Sequence, residues 1–291
     1  MENELKELIG KIVTVVITDE NDDFYFAQQN GLTFRVAKDE FKEPITKGTE
    51  VKGFAYENAE HELQLTKKIP ESGFDQYAFG EVVEVRRTLG VFVDIGLPNK
   101  DIVVSIDDLP EITKIWPKKG DRLMIGLKID NKGRLWGELA SEDVFRGLSV
   151  KADSQMQNKN VVATTYRMKM AGTHVLTDDY FLGFIHPSER DEEPRLGQRL
   201  EARVIGVRPD GVLNLSLRPR AYEAISDDAQ MILAALEHQK GELDYTDKSS
   251  PDEIKAFFGI SKGQFKRAIG HLMKAGLVRQ ENGKLILNKQ Q

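Results

Sequence analysis

The sequence of 291 residues predicts three small all-β barrels in tandem, followed by an α+β domain. Three observations carry this. A glycine leads into a strand of alternating apolar residues at Lys47-Gly-Thr-Glu-Val51, Lys119-Gly-Asp-Arg-Leu123 and Leu196-Gly-Gln-Arg-Leu200. Each copy is followed about ten to fifteen residues later by a strand with spaced leucines: Leu63 and Leu65, then Leu135 and Leu139, then Leu213, Leu215 and Leu217. The copies recur at roughly 72 to 78 residues, too long for a solenoid repeat and long enough for each to close its own barrel. Beyond Pro219 the hydrophobic period changes from two to 3.6, which marks a new domain.

The first barrel, 1–70, runs from Gly10 to about Lys68, with strands expected at 11–18, 24–28 and 32–36 and a hairpin turn at Asn30-Gly31. It holds 14 acidic against 9 basic residues, a poor surface for phosphate. Phe24, Tyr25 and Phe26 cannot all point inward, and Tyr25 is expected to be the one turned outward or against a neighbouring barrel. The second barrel, 71–148, contains the run Gly80-Glu-Val-Val-Glu-Val-Arg-Arg-Thr-Leu-Gly-Val-Phe-Val-Asp-Ile-Gly96. Periodicity is lost from 141 to 160, where a short helical piece at 141–147 precedes a polar stretch read as a linker. The third barrel, within 149–221, is basic, with 12 Lys and Arg against 9 Asp and Glu over 145–221.

The last domain, 222–291, places Ile232, Leu233 and Leu236 on one helical face. A second helix starts at Ser250-Pro251, and a third at Lys262 buries Phe265, Ala268, Ile269 and Leu272. A hairpin turning at Asn282-Gly283 closes the domain. Residues 259–291 hold seven basic groups and one acid, whereas 222–258 hold three basic and nine acidic. That asymmetry puts the cations on the third helix and hairpin, the footprint of a phosphate-facing surface.

Composition excludes several function classes. No Cys is present, so disulfides, thiolate metal sites and cysteine nucleophiles are ruled out. No phosphate-cradling loop, zinc-spaced His pair or nucleophile elbow occurs. The acidic clusters Asp107-Asp108 and Asp191-Glu192-Glu193 fall in polar turns and read as solvated loops. No catalysis and no cofactor are expected. No apolar run approaches the ~18 residues of a membrane span, and Met1-Glu-Asn-Glu-Leu lacks the features of a signal peptide. A cytoplasmic monomer without a membrane partner is the expectation. A net charge of −6 leaves local charge, not the total, to decide nucleic-acid contact.

The run Phe181-Leu-Gly-Phe-Ile-His-Pro-Ser-Glu-Arg190, closed by Gly211-Val-Leu-Asn-Leu-Ser-Leu-Arg218, resembles the S1 RNA-binding domain, a five-stranded OB barrel. In that family the nucleic-acid face uses two aromatics flanking a Gly, a His of the third strand, and an Asp and an Arg around the last hairpin. In the second barrel Phe92 matches the second aromatic, Asp130 the Asp and Arg134 the Arg, while Leu89 replaces the first aromatic and Val104 the His. Trp136 lies two residues beyond Arg134, on the same face of its strand, and restores a π surface. In the third barrel His186 matches the family His and His174 takes the place of the second aromatic. Ala171, Arg208 and Val212 replace the first aromatic, the Asp and the Arg.

The C-terminal order of helices and hairpin resembles the winged-helix fold, with Lys262, Lys266, Arg267 and Lys274 on its recognition-type helix. The whole arrangement resembles the conserved virulence factor B family. That resemblance implies an RNA-binding protein that influences virulence-gene expression. Single-stranded RNA is the expected partner; duplex DNA bound by the winged helix, or docking to the ribosome, are the alternatives.

Overall fold

The computed structural model describes residues 2–219 and 226–288. The chain divides into two compact units, residues 1–217 and 218–291.

The first unit holds three closed five-stranded barrels. Helix α1 (Glu2–Leu8) precedes β1 (Ile12–Glu20), β2 (Phe24–Gln29), β3 (Leu32–Ala37), β4 (Glu50–Glu57) and β5 (Leu63–Thr66). The second barrel comprises β6 (Ala78–Arg86), β7 (Gly90–Asp94), β8 (Ile102–Ser105), β9 (Arg122–Ile129) and β10 (Leu135–Leu139). Helix α2 (Glu142–Leu148) leads to the third, built of β11 (Asn160–Lys169), β12 (Gly172–Thr177), β13 (Leu182–Ile185), β14 (Arg199–Val207) and β15 (Leu213–Ser216). In every barrel the third and fifth strands pair in parallel and the other neighbours antiparallel, the OB topology.

Side-chain alternation sets the faces. On β7, Val91 and Val93 are fully buried and Phe92 between them is turned outward. Glycine starts this strand for a steric reason: Gly90 has φ of +139°, and a Cβ there would lie 2.0 Å from the Val104 carbonyl oxygen. Gly172 repeats the device in the third barrel, with φ of +150° and 2.5 Å to the Ile185 carbonyl.

The structure departs from the sequence expectation at three places in this unit. Tyr25 is 3% exposed and lies in the first core, its hydroxyl accepting from the Ile45 N–H at 3.0 Å, so Phe24 and Phe26 are the outward pair. Helix α1 was not anticipated, because seven residues carry too little periodicity to register; Leu8 and the following Ile9 are buried in the first core. The stretch 141–160 is a fixed connection and not a free linker. Phe145 of α2 is buried and stacks on Tyr166 of β11 with ring centroids 3.9 Å apart, while Glu142 binds Arg167 at 2.8 Å and Lys169 at 2.7 Å. Further on, the Ala152 N–H donates to the Gly211 carbonyl at 3.1 Å.

Neighbouring barrels are joined by specific contacts. Phe54 and Tyr56 of β4 pack into the second core, and the Tyr56 hydroxyl donates to the Pro98 carbonyl at 2.7 Å. Between the second and third barrels, Arg195 makes a two-pronged pair with Asp121, both bonds 3.0 Å, and the Arg122 N–H donates to the Gly197 carbonyl at 2.8 Å.

The second unit contains α3 (Asp227–His238), β16 (Glu242–Leu243), α4 (Pro251–Phe258), α5 (Lys262–Lys274), β17 (Val278–Glu281) and β18 (Lys284–Leu287), with sheet order β16-β18-β17. Capping boxes at Ser250/Glu253 and Ser261/Gln264 start α4 and α5. Phe265, Ala268, Ile269 and Leu272 are buried as the helical stripe predicts, against Ile232, Leu236, Ile254 and Phe258. Positive φ at Asn282 and Gly283 makes the expected tight hairpin. This is a winged-helix domain.

Candidate nucleic-acid interface

Strand register defines one outward row of side chains on each barrel. In the second barrel Phe92 pairs with Val103, Gly137 with Val104, and Trp136 with Lys128. Gly137 and Val104 face the core, so the outward row across β7, β8, β10 and β9 reads Phe92, Val103, Trp136, Lys128. Adjacent strands are ~4.8 Å apart, which sets the two rings ~10 Å from each other across Val103. The same register in the third barrel gives His174, Phe184, Asn214 and Gly206, with Arg167 of β11 paired beside His174. In the first barrel it gives Phe26, Arg35, Gln64, Tyr56.

Phe92, Trp136 and Phe184 of the two later rows each lie beneath an arginine that is itself tethered. The Arg86 guanidinium sits 4.4 Å from the Phe92 centroid and bonds Glu84 at 2.8 and 2.9 Å. Arg134 sits 5.4 Å from the Trp136 centroid, and its Nε–H donates to Asp130 at 2.7 Å. Arg208 sits 4.7 Å from the Phe184 centroid, with its Nε–H donating to Asn214 at 2.9 Å. A π face and a guanidinium are thus set side by side three times.

Asp130 organises the hairpin between β9 and β10. Burial pushes its carboxyl up, but hydrogen bonds from the Arg134 backbone, the Arg134 guanidinium, Trp136 and the Lys132 backbone outweigh this and hold it at about 2. It is therefore a permanent anion that orients Trp136 and Arg134. A phosphate reaching Arg134 competes with that carboxylate. The exchange is inexpensive because Arg134 is exposed and surface ion pairs contribute only ~0–1 kcal/mol.

In the third barrel two of the three sequence-derived residues, His186 and Arg208, converge on a recess. A pocket of about 360 Å³ is lined by Phe184, His186, Ser188, Arg208 and Asn214, among others. The His186 ring nitrogen Nδ1 caps the turn that follows, accepting from the Ser188 N–H at 3.2 Å. His174 stands at 5.4 Å from Phe184, edge to face. Burial first, then Lys169, depresses its pKa below 6.5 against the opposing effect of Glu142, so at neutral pH it offers a ring and no charge.

Phe184 is the functional candidate that sequence reasoning missed. It stands in the third-strand motif, but its outward direction follows only from pairing with Asn214 and His174. Register also corrects one correspondence. Ser105, which pairs with Gly90 and caps the next turn, is the counterpart of His186; Val104 faces the core as Ile185 does.

The first barrel is closed for this purpose. Tyr56 and Gln64 of its row are 0% and 6% exposed beneath the second barrel's 97–99 loop, where the Ala59 N–H also donates to Asn99. In the winged helix, Lys266, Arg267 and Lys274 are exposed on α5, Lys262 is half-buried at its start, and none of them is ion-paired among the described residues.

Closed barrels with half-buried outward aromatics beside cations, joined to a winged helix, define a protein of S1-like and winged-helix domains, both of which point to nucleic-acid binding. The chain belongs to the conserved virulence factor B family. Residues 77–138 match the profile described as CvfB first S1-like domain, 145–219 Virulence regulatory factor CvfB, second domain, 230–287 CvfB-like winged helix domain, and 9–68 S1 domain. The chain is 37% identical over 288 residues to Conserved virulence factor B of Staphylococcus epidermidis, covering 98% of this chain and 96% of that one. It is 44% identical over 274 residues to Uncharacterized protein YitL of Bacillus subtilis, covering 94% and 92%. A crystal structure of a multidomain protein with nucleic acid binding domains from Streptococcus pneumoniae shares 52% identity and a TM-score of 0.72, over 97% of this chain and 99% of that one.

Proposed function

We propose that the protein binds single-stranded RNA through its second and third barrels, with the winged helix adding phosphate contacts, and regulates gene expression after transcription. The observation that carries this reading is the outward row Phe92, Val103, Trp136, Lys128 with its tethered Arg134. Aromatic rings spaced across a sheet accept unstacked bases, whereas a duplex keeps its bases stacked out of reach. The likeness of the barrels to S1 RNA-binding domains favours RNA over DNA. The family's description as virulence regulators supports a regulatory role, and the cytoplasm is the compartment where such transcripts are met. Duplex DNA on α5 is the second reading, favoured by the exposure of Lys266 and Arg267.

The test is competition on the full chain between a fluorescent oligouridylate and unlabelled duplex DNA of equal length at one salt concentration. Displacement by single-stranded RNA at far lower concentration than by duplex supports the reading. Preference for duplex DNA overturns it in favour of the second.

A further inference from the structure

The rows of the second and third barrels end at a common cavity. Lys128 is the last member of the first row and Arg167 pairs with His174 at the head of the second, and both line a recess of about 520 Å³ between the barrels. Its walls include Leu123 and Met124 of the second barrel, Phe145 of α2, and Thr165 and Tyr166 of the third. The volume falls within the ~300–1,000 Å³ range of small-ligand sites. Arg122, Lys128 and Arg167 line it with Asp108 and Glu138; Lys128 is paired with Asp108 and Arg167 with Glu142, both at 2.8 Å, so a phosphate entering exchanges with these carboxylates. One polar group inside is unspent. Thr165 is 1% exposed and its hydroxyl has no hydrogen-bond partner among the described residues.

We propose that this cavity receives a nucleotide of the same strand that crosses both rows, so that the second and third barrels bind one continuous single strand. The reading rests on the single-strand function proposed above. Phe92, Val103, Trp136 and Lys128 lead into the cavity, and Arg167, His174, Phe184 and Asn214 lead out of it. The base is sandwiched among apolar and aromatic walls, with Thr165 available to its polar edge, and Arg122 and Arg167 meet the flanking phosphates. No equivalent passage joins the first and second barrels, because Tyr56, the last member of the first row, is buried under the 97–99 loop. The bound strand therefore ends at the second barrel.

The test uses the full chain with oligouridylates of about five and about fifteen nucleotides. Bridging makes engagement of the second row intramolecular, so the longer oligomer binds about a hundredfold tighter than the short one. Ala140→Trp, which fills the cavity, is expected to bring the long oligomer to within a few fold of the short one while short-oligomer binding persists. Independently of any variant, 4-thiouridine at a central position of the long oligomer is expected to crosslink to Tyr166 or Phe145. Tight short-oligomer binding with no gain from length and no crosslink in the cavity overturns the bridging and leaves the single-strand function standing. Failure of both oligomers to bind overturns the function itself.

Discussion

The indole Nε1–H of Trp136 donates to Asp130 Oδ2 at 3.2 Å, the same oxygen that receives the Arg134 guanidinium at 2.7 Å. One carboxylate thus fixes a ring and a cation together before any ligand arrives. A preformed platform loses less entropy on binding than a mobile side chain would.

Removing the ring tests this first. Trp136→Ala is expected to weaken binding of an oligouridylate by ~1–3 kcal/mol, the contribution of one base stack. Asp130→Asn keeps the size but halves the anchoring, and a smaller loss in the same direction is expected. Fluorescence anisotropy measures both, with circular dichroism confirming that the barrels remain folded.

The junction of the second and third barrels is held by Arg195 and Asp121, whose side chains are 24% and 8% exposed. Arg195→Ala leaves the Asp121 carboxylate buried with, among the described residues, the Lys118 N–H at 2.7 Å, and the loss expected for a charged hydrogen-bonded pair is ~1.5–3 kcal/mol. Urea unfolding reads this directly. The double variant Arg195→Leu with Asp121→Leu should cost less than the sum of the singles.

His174 makes stability depend on pH on the acid side. Its folded pKa lies below the unfolded value of 6.5, so between the two the unfolded chain carries the extra proton. Its contribution is complete above 6.5 and is lost as pH falls toward the folded pKa. In His174→Phe the decline between neutral and mildly acid pH should be shallower, by urea titration at both ends of that window. An identical decline would mean the imidazole is not the cause.

Salt should separate the two units. Lys266→Ala with Arg267→Ala is expected to lower the slope of log affinity against log salt by ~0.7 for each phosphate contact removed. Phe92→Ala and Trp136→Ala should weaken binding with the slope unchanged, because stacking releases no counterions.

Most of the architecture was legible because each element announces itself by a period. Glycines at Gly48, Gly120 and Gly197, all with φ between +78° and +88°, mark the same turn in the three barrels, and alternating Val and Leu residues fix which face is buried. What escaped were features set by contacts distant in sequence. Helix α1 is too short to show a stripe, and α2 is anchored by Phe145 on Tyr166, a contact that no local pattern contains. Tyr25 was misplaced because Phe24, Tyr25 and Phe26 are apolar throughout, so alternation cannot choose their phase; pairing of Tyr25 with the buried Val36 does. The candidate site was half legible. Asp130, Arg134 and Trp136 share a hairpin and could be grouped from spacing, whereas Phe184 joins Arg208 only across the parallel pairing of β13 and β15, through Asn214.

The most direct test of the central claim needs no substitution in the protein studied. With 5-fluorotryptophan incorporated, Trp116 and Trp136 give two fluorine resonances, assigned once with Trp136→Phe. Trp116 is 7% exposed in the second core and serves as an internal control. Adding an oligouridylate should move the Trp136 resonance in saturable fashion and leave Trp116 in place. Binding seen by anisotropy with Trp136 unmoved would contradict the account.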